Sequence, residues 1–150
     1  KASLEMRDHL ERNALHFACC CCFSDAEVIS MLSSRPHLVQ EADGQGRSAL
    51  YYAVANPHRR WCVPLLRVLL QYAANVNQSD QLGRTALWYA AEAGLVGASS
   101  LLLDSLGDPS ICDADGFEPL SVTRSSAVAL LLECAEPPGR SPDHIAGRDE

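Results

Sequence analysis

Hydrophobic positions along the chain return in register. A polar or charged residue, then Ala or Pro, then Leu occurs as Asn13-Ala14-Leu15, Ser48-Ala49-Leu50, Thr85-Ala86-Leu87 and Glu118-Pro119-Leu120, at intervals of 35, 37 and 33 residues. The residues that follow also correspond: His16-Phe17-Ala18, Tyr51-Tyr52-Ala53, Trp88-Tyr89-Ala90 and Ser121-Val122-Thr123. Self-similarity near this period is the signature of stacked helical units that bury side chains between neighbours. The cleanest unit runs from Thr85 to Gly116. The Thr85 hydroxyl is placed to cap a helix that contains Glu92 and ends at Gly94. A second helix is predicted from about Val96 to Leu106, with Leu101, Leu102 and Leu103 as its apolar stretch. Gly107-Asp108-Pro109 then breaks the chain, and Asp113-Ala114-Asp115-Gly116 turns it into the next unit.

These residues resemble the ankyrin repeat. Asp80-Gln81-Leu82-Gly83-Arg84-Thr85-Ala86-Leu87 follows that family's opening, with Ala86 in place of its Pro. Leu69-Leu70-Gln71-Tyr72-Ala73-Ala74-Asn75-Val76-Asn77 follows the close of its second helix. The resemblance covers roughly residues 12–136 and implies an all-α solenoid of helix-turn-helix units with extended loop tips. The expected units are 12–46, 47–83, 84–116 and 117–136, the outer two degenerate. Residues 1–11 are expected to add a helical turn or two from Leu4 to Leu10, as a cap or a partial repeat. Residues 137–150, with Pro137-Pro138-Gly139 and few apolar residues, are expected to form a flexible tail. Beginning at Lys1, the chain reads as a fragment of a longer protein.

Departures from the period mark what is particular to this chain. The second unit, Ser48 to Arg84, is four residues over the period, which places Arg59-Arg60-Trp61-Cys62 as an insertion between its two helices. The first unit is two residues over, around Arg35-Pro36-His37. The last is about four short between Thr123 and Leu130, implying a reduced first helix.

Composition narrows the function. The 47% of hydrophobic residues favours a folded state. The net charge of -7 argues against nucleic acid and favours a basic protein or peptide as partner. No apolar run approaches the roughly 20 residues that span a bilayer. Seven cysteines, four of them consecutive from Cys19 to Cys22, lack the loop spacing of a disulfide framework and the second Cys-x-x-Cys pair of a metal site. They read as small helix-packing residues, with a redox-sensitive thiol patch as the alternative, and they point to a reducing compartment, cytoplasm or nucleus. His16 lies three and four residues from Cys19 and Cys20, but it matches the family's loop-buttressing His. No phosphate loop or nucleophile elbow appears. Neither catalysis nor a cofactor is expected.

A helical array presents an open face rather than a closed pocket, so a protein-binding module is the reading, within a larger adaptor or regulatory protein. The resemblance implies that partners contact loop tips and the exposed side of each first helix. Carried over by position, this concave strip is Gln45, Arg47, Asn56, Gln81, Leu82, Arg84, Trp88, Glu92, Asp115 and Phe117. Leu82 and Phe117 are apolar at tips where solvent favours polar residues, so they are the leading contact candidates; the alternative is that they pack on neighbouring loops. Arg59, Arg60 and Trp61 form a second surface, unless Trp61 merely covers core. Tyr51, Tyr52, Trp88 and Tyr89 either fill the interface between units or, with Glu92, form a methyl-lysine cage that would make the module a histone-tail reader. A compact inhibitor that covers an enzyme's active surface is the other alternative.

Overall fold

The computed structural model describes residues 6–21, 24–56 and 62–135. Among them are eight α-helices and no strand: α1 (Ala14–Cys20), α2 (Asp25–Ser34), α3 (Ala49–Val54), α4 (Cys62–Gln71), α5 (Ala86–Glu92), α6 (Val96–Asp104), α7 (Pro119–Val122) and α8 (Ser126–Cys134). Each odd-numbered helix packs on the even one that follows it. The odd helices stack as one layer and the even helices as a second. Local chemistry sets where they start. The Asn13 side chain accepts the His16 N–H while the His16 ring accepts the Asn13 N–H, closing a capping box. Ser24 and Glu27 do the same for α2, Thr85 Oγ1 caps α5, and Ser125 caps α8.

The repeated leucines meet between the layers. Leu15, Leu50 and Leu87 of the first helices, and Leu32, Leu69 and Leu102 of the second, are at most 1% exposed. Each such leucine contributes about 1.5–3 kcal/mol of burial free energy. Because every unit leans on its neighbours, none is stable alone.

The irregular spacings resolve as follows. The long second unit has its excess between Val54 and Cys62, as expected, but Cys62 is itself the buried first residue of α4. Arg59, Arg60 and Trp61, the expected second surface, lie outside the described residues. The excess of the first unit falls between Cys20 and Asp25, not at Arg35–His37. The stretch from Leu32 to Asp43 matches in length those from Leu69 to Asp80 and from Leu102 to Asp113, and Pro36–Gln40 within it forms a single 3-10 turn. Helix α7 is reduced to four residues, matching the short last unit. The helical turn expected before the first repeat is not present over residues 6–11, which form a loop tip instead. Residues 1–5 and the expected tail, 137–150, lie outside the described residues.

Candidate protein-binding surface

Each tip is built on one aspartate. Oδ1 of Asp8 accepts the N–H groups of Leu10 and Arg12, both at 2.9 Å. Asp43 accepts those of Gln45 and Arg47, Asp80 those of Leu82 and Arg84, and Asp113 those of Asp115 and Phe117, at 2.9–3.1 Å. In each case the aspartate N–H also donates to the carbonyl four residues on, and its carbonyl accepts from three residues on. The third residue after the aspartate has positive φ: Glu11, Gly46, Gly83 and Gly116. Glycine takes this backbone without strain, whereas Glu11 carries a cost of about 1 kcal/mol.

The tips are tied in a row. Gly44 N–H donates to Leu10 O, Gln81 N–H to Gln45 O, and Ala114 N–H to Leu82 O, at 2.8–2.9 Å. Gln81 adds a side-chain bond to Gly44 O. A Cβ on Gly83 would lie 3.1 Å from Ala114 N, so the glycine also permits this close approach.

Behind the tips runs a column of arginine and aromatic side chains. Arg12 pairs with Asp8 and lies 4.4 Å over Phe17. Arg47 pairs with Asp43 at 2.7 Å, and the Tyr52 hydroxyl donates to the same carboxylate oxygen at 2.7 Å. The Tyr89 hydroxyl donates to Asp80 at 2.6 Å. Burial raises the Asp43 pKa, but bonds from Tyr52, Arg47 and two backbone N–H groups outweigh it and hold the carboxyl below its ordinary range. In the last unit the arginine position is taken by Phe117 and the tyrosine position by Val122. Asp113 therefore meets Arg84 of the preceding tip, at 3.5 Å. The aspartate recurs at the same 35, 37 and 33 intervals, and the arginine and aromatic accompany it in the first three tips, a signal that the Ala-Leu tripeptide alone does not carry.

The aromatic residues pack against one another between units. Tyr51 meets Tyr89 edge to face at 4.7 Å, and Tyr52 and Trp88 pack on these two in turn. Trp88 is 3% exposed, with Arg84 4.3 Å over its ring and its Nε1–H donated to Phe117 O at 3.1 Å. Arg47 lies over the rings of Tyr51 and Tyr52. The chain's own arginines thus cover a face of Tyr51, of Tyr52 and of Trp88. The loop-buttressing part expected of His16 is present: Nδ1 accepts from Asn13 N–H, so Nε2 carries the proton and bonds Glu41 O at 3.2 Å. Burial lowers its pKa.

Of the remaining expected contacts, Gln45, Gln81, Leu82, Glu92, Asp115 and Phe117 are exposed, and Arg47 and Arg84 are half-buried in the pairs just described. Asn56 is buried at the floor of the strip, and its Nδ2 donates to Cys19 O at 2.7 Å, tying the second unit to the first. A groove of about 370 Å³ between α3 and α5 is bordered by Tyr51, Val54, Ala55, Tyr89 and Glu92. Cys19 is core, its thiol pKa pushed up by burial; Cys20 is half-buried, Cys21 exposed, and Cys22 lies outside the described residues.

Paired helices stacked through tips of this kind define a class. A family model for ankyrin repeats, in three copies, matches residues 29–118, more than half of the chain. The chain belongs to the ankyrin-repeat family, whose members are non-catalytic protein-interaction modules. It is similar to human Ankyrin repeat domain-containing protein 63, with 37% identity over 89 residues, covering 59% of this chain and 23% of that protein. It is also similar to chicken Inversin, 31% identical over 114 residues, which covers 73% of the chain and 10% of Inversin. The chain thus spans a quarter or less of these relatives' length. Among solved structures, the ankyrin repeat domain of Bcl-3, a member of the IkappaB protein family, matches with a TM-score of 0.73 and 31% identity, over 87% of this chain and 55% of that one. Among the described residues no helix is long and apolar enough to cross a membrane.

Proposed function

We propose that this domain binds a protein or peptide segment along its tips and first helices, as the recognition part of a larger adaptor or regulatory protein in a reducing compartment, cytoplasm or nucleus. The observation that carries this reading is a pair of apolar side chains, Leu82 at 51% and Phe117 at 52% exposure, on tips held rigid by aspartate turns and tip-to-tip hydrogen bonds. Rigid apolar anchors on an ordered backbone lose little entropy on binding and are the usual hot spots of interfaces. Beside them the arginines are neutralised internally, whereas Glu92, Asp115 and Glu118 face solvent. The segment recognised is therefore apolar with basic flanks.

Affinity capture from cell extract tests this with the wild-type chain, a Leu82→Ala/Phe117→Ala double variant, and a Val96→Ala control on the second helix of the same unit. Proteins held by wild type and control and lost from the double variant support the strip. A capture profile shared by all three would place the binding surface elsewhere.

A further inference from the structure

The internal repetition shows what each face of a unit is made to meet. A position buried in every unit but the last faces the following unit, and one buried in every unit but the first faces the preceding one. Leu15, Leu50 and Leu87 are at most 1% exposed, while Leu120 at the same position is 37% exposed. Leu66 and Ser99 are fully buried and Ala129 is half-buried, while Ile29 at the same helix position is 40% exposed. The tips repeat this polarity. Carbonyls of Leu10, Gln45 and Leu82 each accept an N–H from the next tip, and Asp115, at the same register in the last tip, receives none among the described residues. At the opposite end, His9 stands where Gly44, Gln81 and Ala114 donate. A Cβ on Gly46 or Gly83 would press on the next tip's backbone, at 3.2 and 3.1 Å, whereas one on Gly116 meets nothing within 4 Å. Terminal units of such arrays usually carry a polar outer face. The described residues leave Phe117 and Leu120 exposed at one end and Met6, Phe17 and Ile29 at the other.

We propose that these two ends are complementary, and that the face around Asp115, Gly116 and Leu120 docks the face around His9, Phe17 and Ile29 of a second copy of this chain. The stack then continues head to tail across molecules through the contact that already joins units within one. The interface is heterologous, so it does not close at a dimer, and assembly grows with concentration. The last tip, with Asp115 and Phe117, belongs to the proposed binding strip as well, so stacking at that end competes with partner binding there.

Two surface substitutions separate the ends. Leu120→Glu spoils only the C-terminal face and Ile29→Glu only the N-terminal face; both positions are exposed, and circular dichroism checks that each variant folds. In sedimentation equilibrium the wild-type mass is expected to rise from micromolar to millimolar concentration, while either variant alone stays monomeric. An equimolar mixture of the two is expected to reach twice the monomer mass and no more, since each variant retains one intact face. A wild-type chain that is monomeric throughout, a variant that still self-associates, or a mixture that stays monomeric would each overturn the proposal.

Discussion

Asp43→Asn isolates the charge at the centre of the second tip. The substitution keeps size and shape, and its amide oxygen can still accept the Gln45 and Arg47 N–H groups. What changes is Oδ2, which accepts the Arg47 guanidinium at 2.7 Å and the Tyr52 hydroxyl at 2.7 Å with the Asp43 side chain fully buried. An amide NH2 at that place opposes two donors. The tyrosine hydroxyl can rotate to accept, but the guanidinium cannot. The loss is then mainly one charge-assisted pair, about 1.5–3 kcal/mol, with part recovered because Arg47 reaches water. Against the total of about 5–15 kcal/mol that holds a domain together, this is large. Urea denaturation followed by circular dichroism should show a midpoint lower by about 1 M at an unchanged slope. Asp115→Asn, exposed on the last tip, serves as control and should stay within about 0.5 kcal/mol of wild type. The difference should also depend on pH. Because the Asp43 pKa is lowered in the folded chain, the stability its charge brings is present above the ordinary carboxylate value of about 3.9 and is lost as pH falls through the folded value. Wild type and Asp43→Asn should therefore converge in strong acid. Equal midpoints at neutral pH, or a gap that persists unchanged into strong acid, would refute the assignment of Asp43 as a buried, charged keystone.

Four further outcomes follow from the geometry. His16 has a pKa lowered by burial, so the unfolded chain takes up a proton first; stability should fall as pH drops below about 6.5, and His16→Gln should flatten that part of the urea-midpoint profile. The Ser99 hydroxyl is buried between units without a hydrogen-bond partner among the described residues, and Ser99→Ala should raise thermal stability, by about 1 kcal/mol. Glu11 holds a left-handed backbone where three other tips have glycine, and Glu11→Gly should stabilise by about 0.5–1 kcal/mol in urea melts. Phe117→Arg should leave the melting temperature unchanged or higher while cutting capture of the partner at least tenfold, about 1.4 kcal/mol, since an arginine there regains the pairing of the other tips; a clear fall in melting temperature would mean that Phe117 packs as core.

The repeated Ala-Leu tripeptide made the architecture legible because apolar periodicity is the physical cause of stacking. Thr85 as a cap, Gly94 as a stop and the short last first-helix were all readable for the same local reason. What one sequence did not disclose depends on contacts distant along the chain. Nothing near Asn56 in sequence shows that its side chain donates to the Cys19 carbonyl, 37 residues earlier. The four aromatic residues read first as core between units, and the sequence held no sign that Arg47 and Arg84 would lie over their rings. Residues 6–11 lacked a tip glycine, and only the hydrogen bonds of Asp8 reveal that Glu11 adopts the glycine's conformation.

The exposed apolar tip and the internal electrostatics have a common origin in one position. Where Arg12 and Arg47 bond the aspartate of their own tip, the last unit has Phe117, which can neither pair with Asp113 nor find a tyrosine partner in Val122. The buried Asp113 carboxylate must still be balanced, and Arg84 crosses from the preceding tip to do so, held over Trp88 on the way. Asp80 is left with the Tyr89 hydroxyl in place of an arginine. With its charge duty transferred, the last tip is free to present an aromatic ring to solvent, two tips of backbone hydrogen bonds having fixed where that ring stands. Recognition by Phe117 and burial of Arg84 are thus consequences of the same substitution, which is why a change at either residue is expected to be felt at the other.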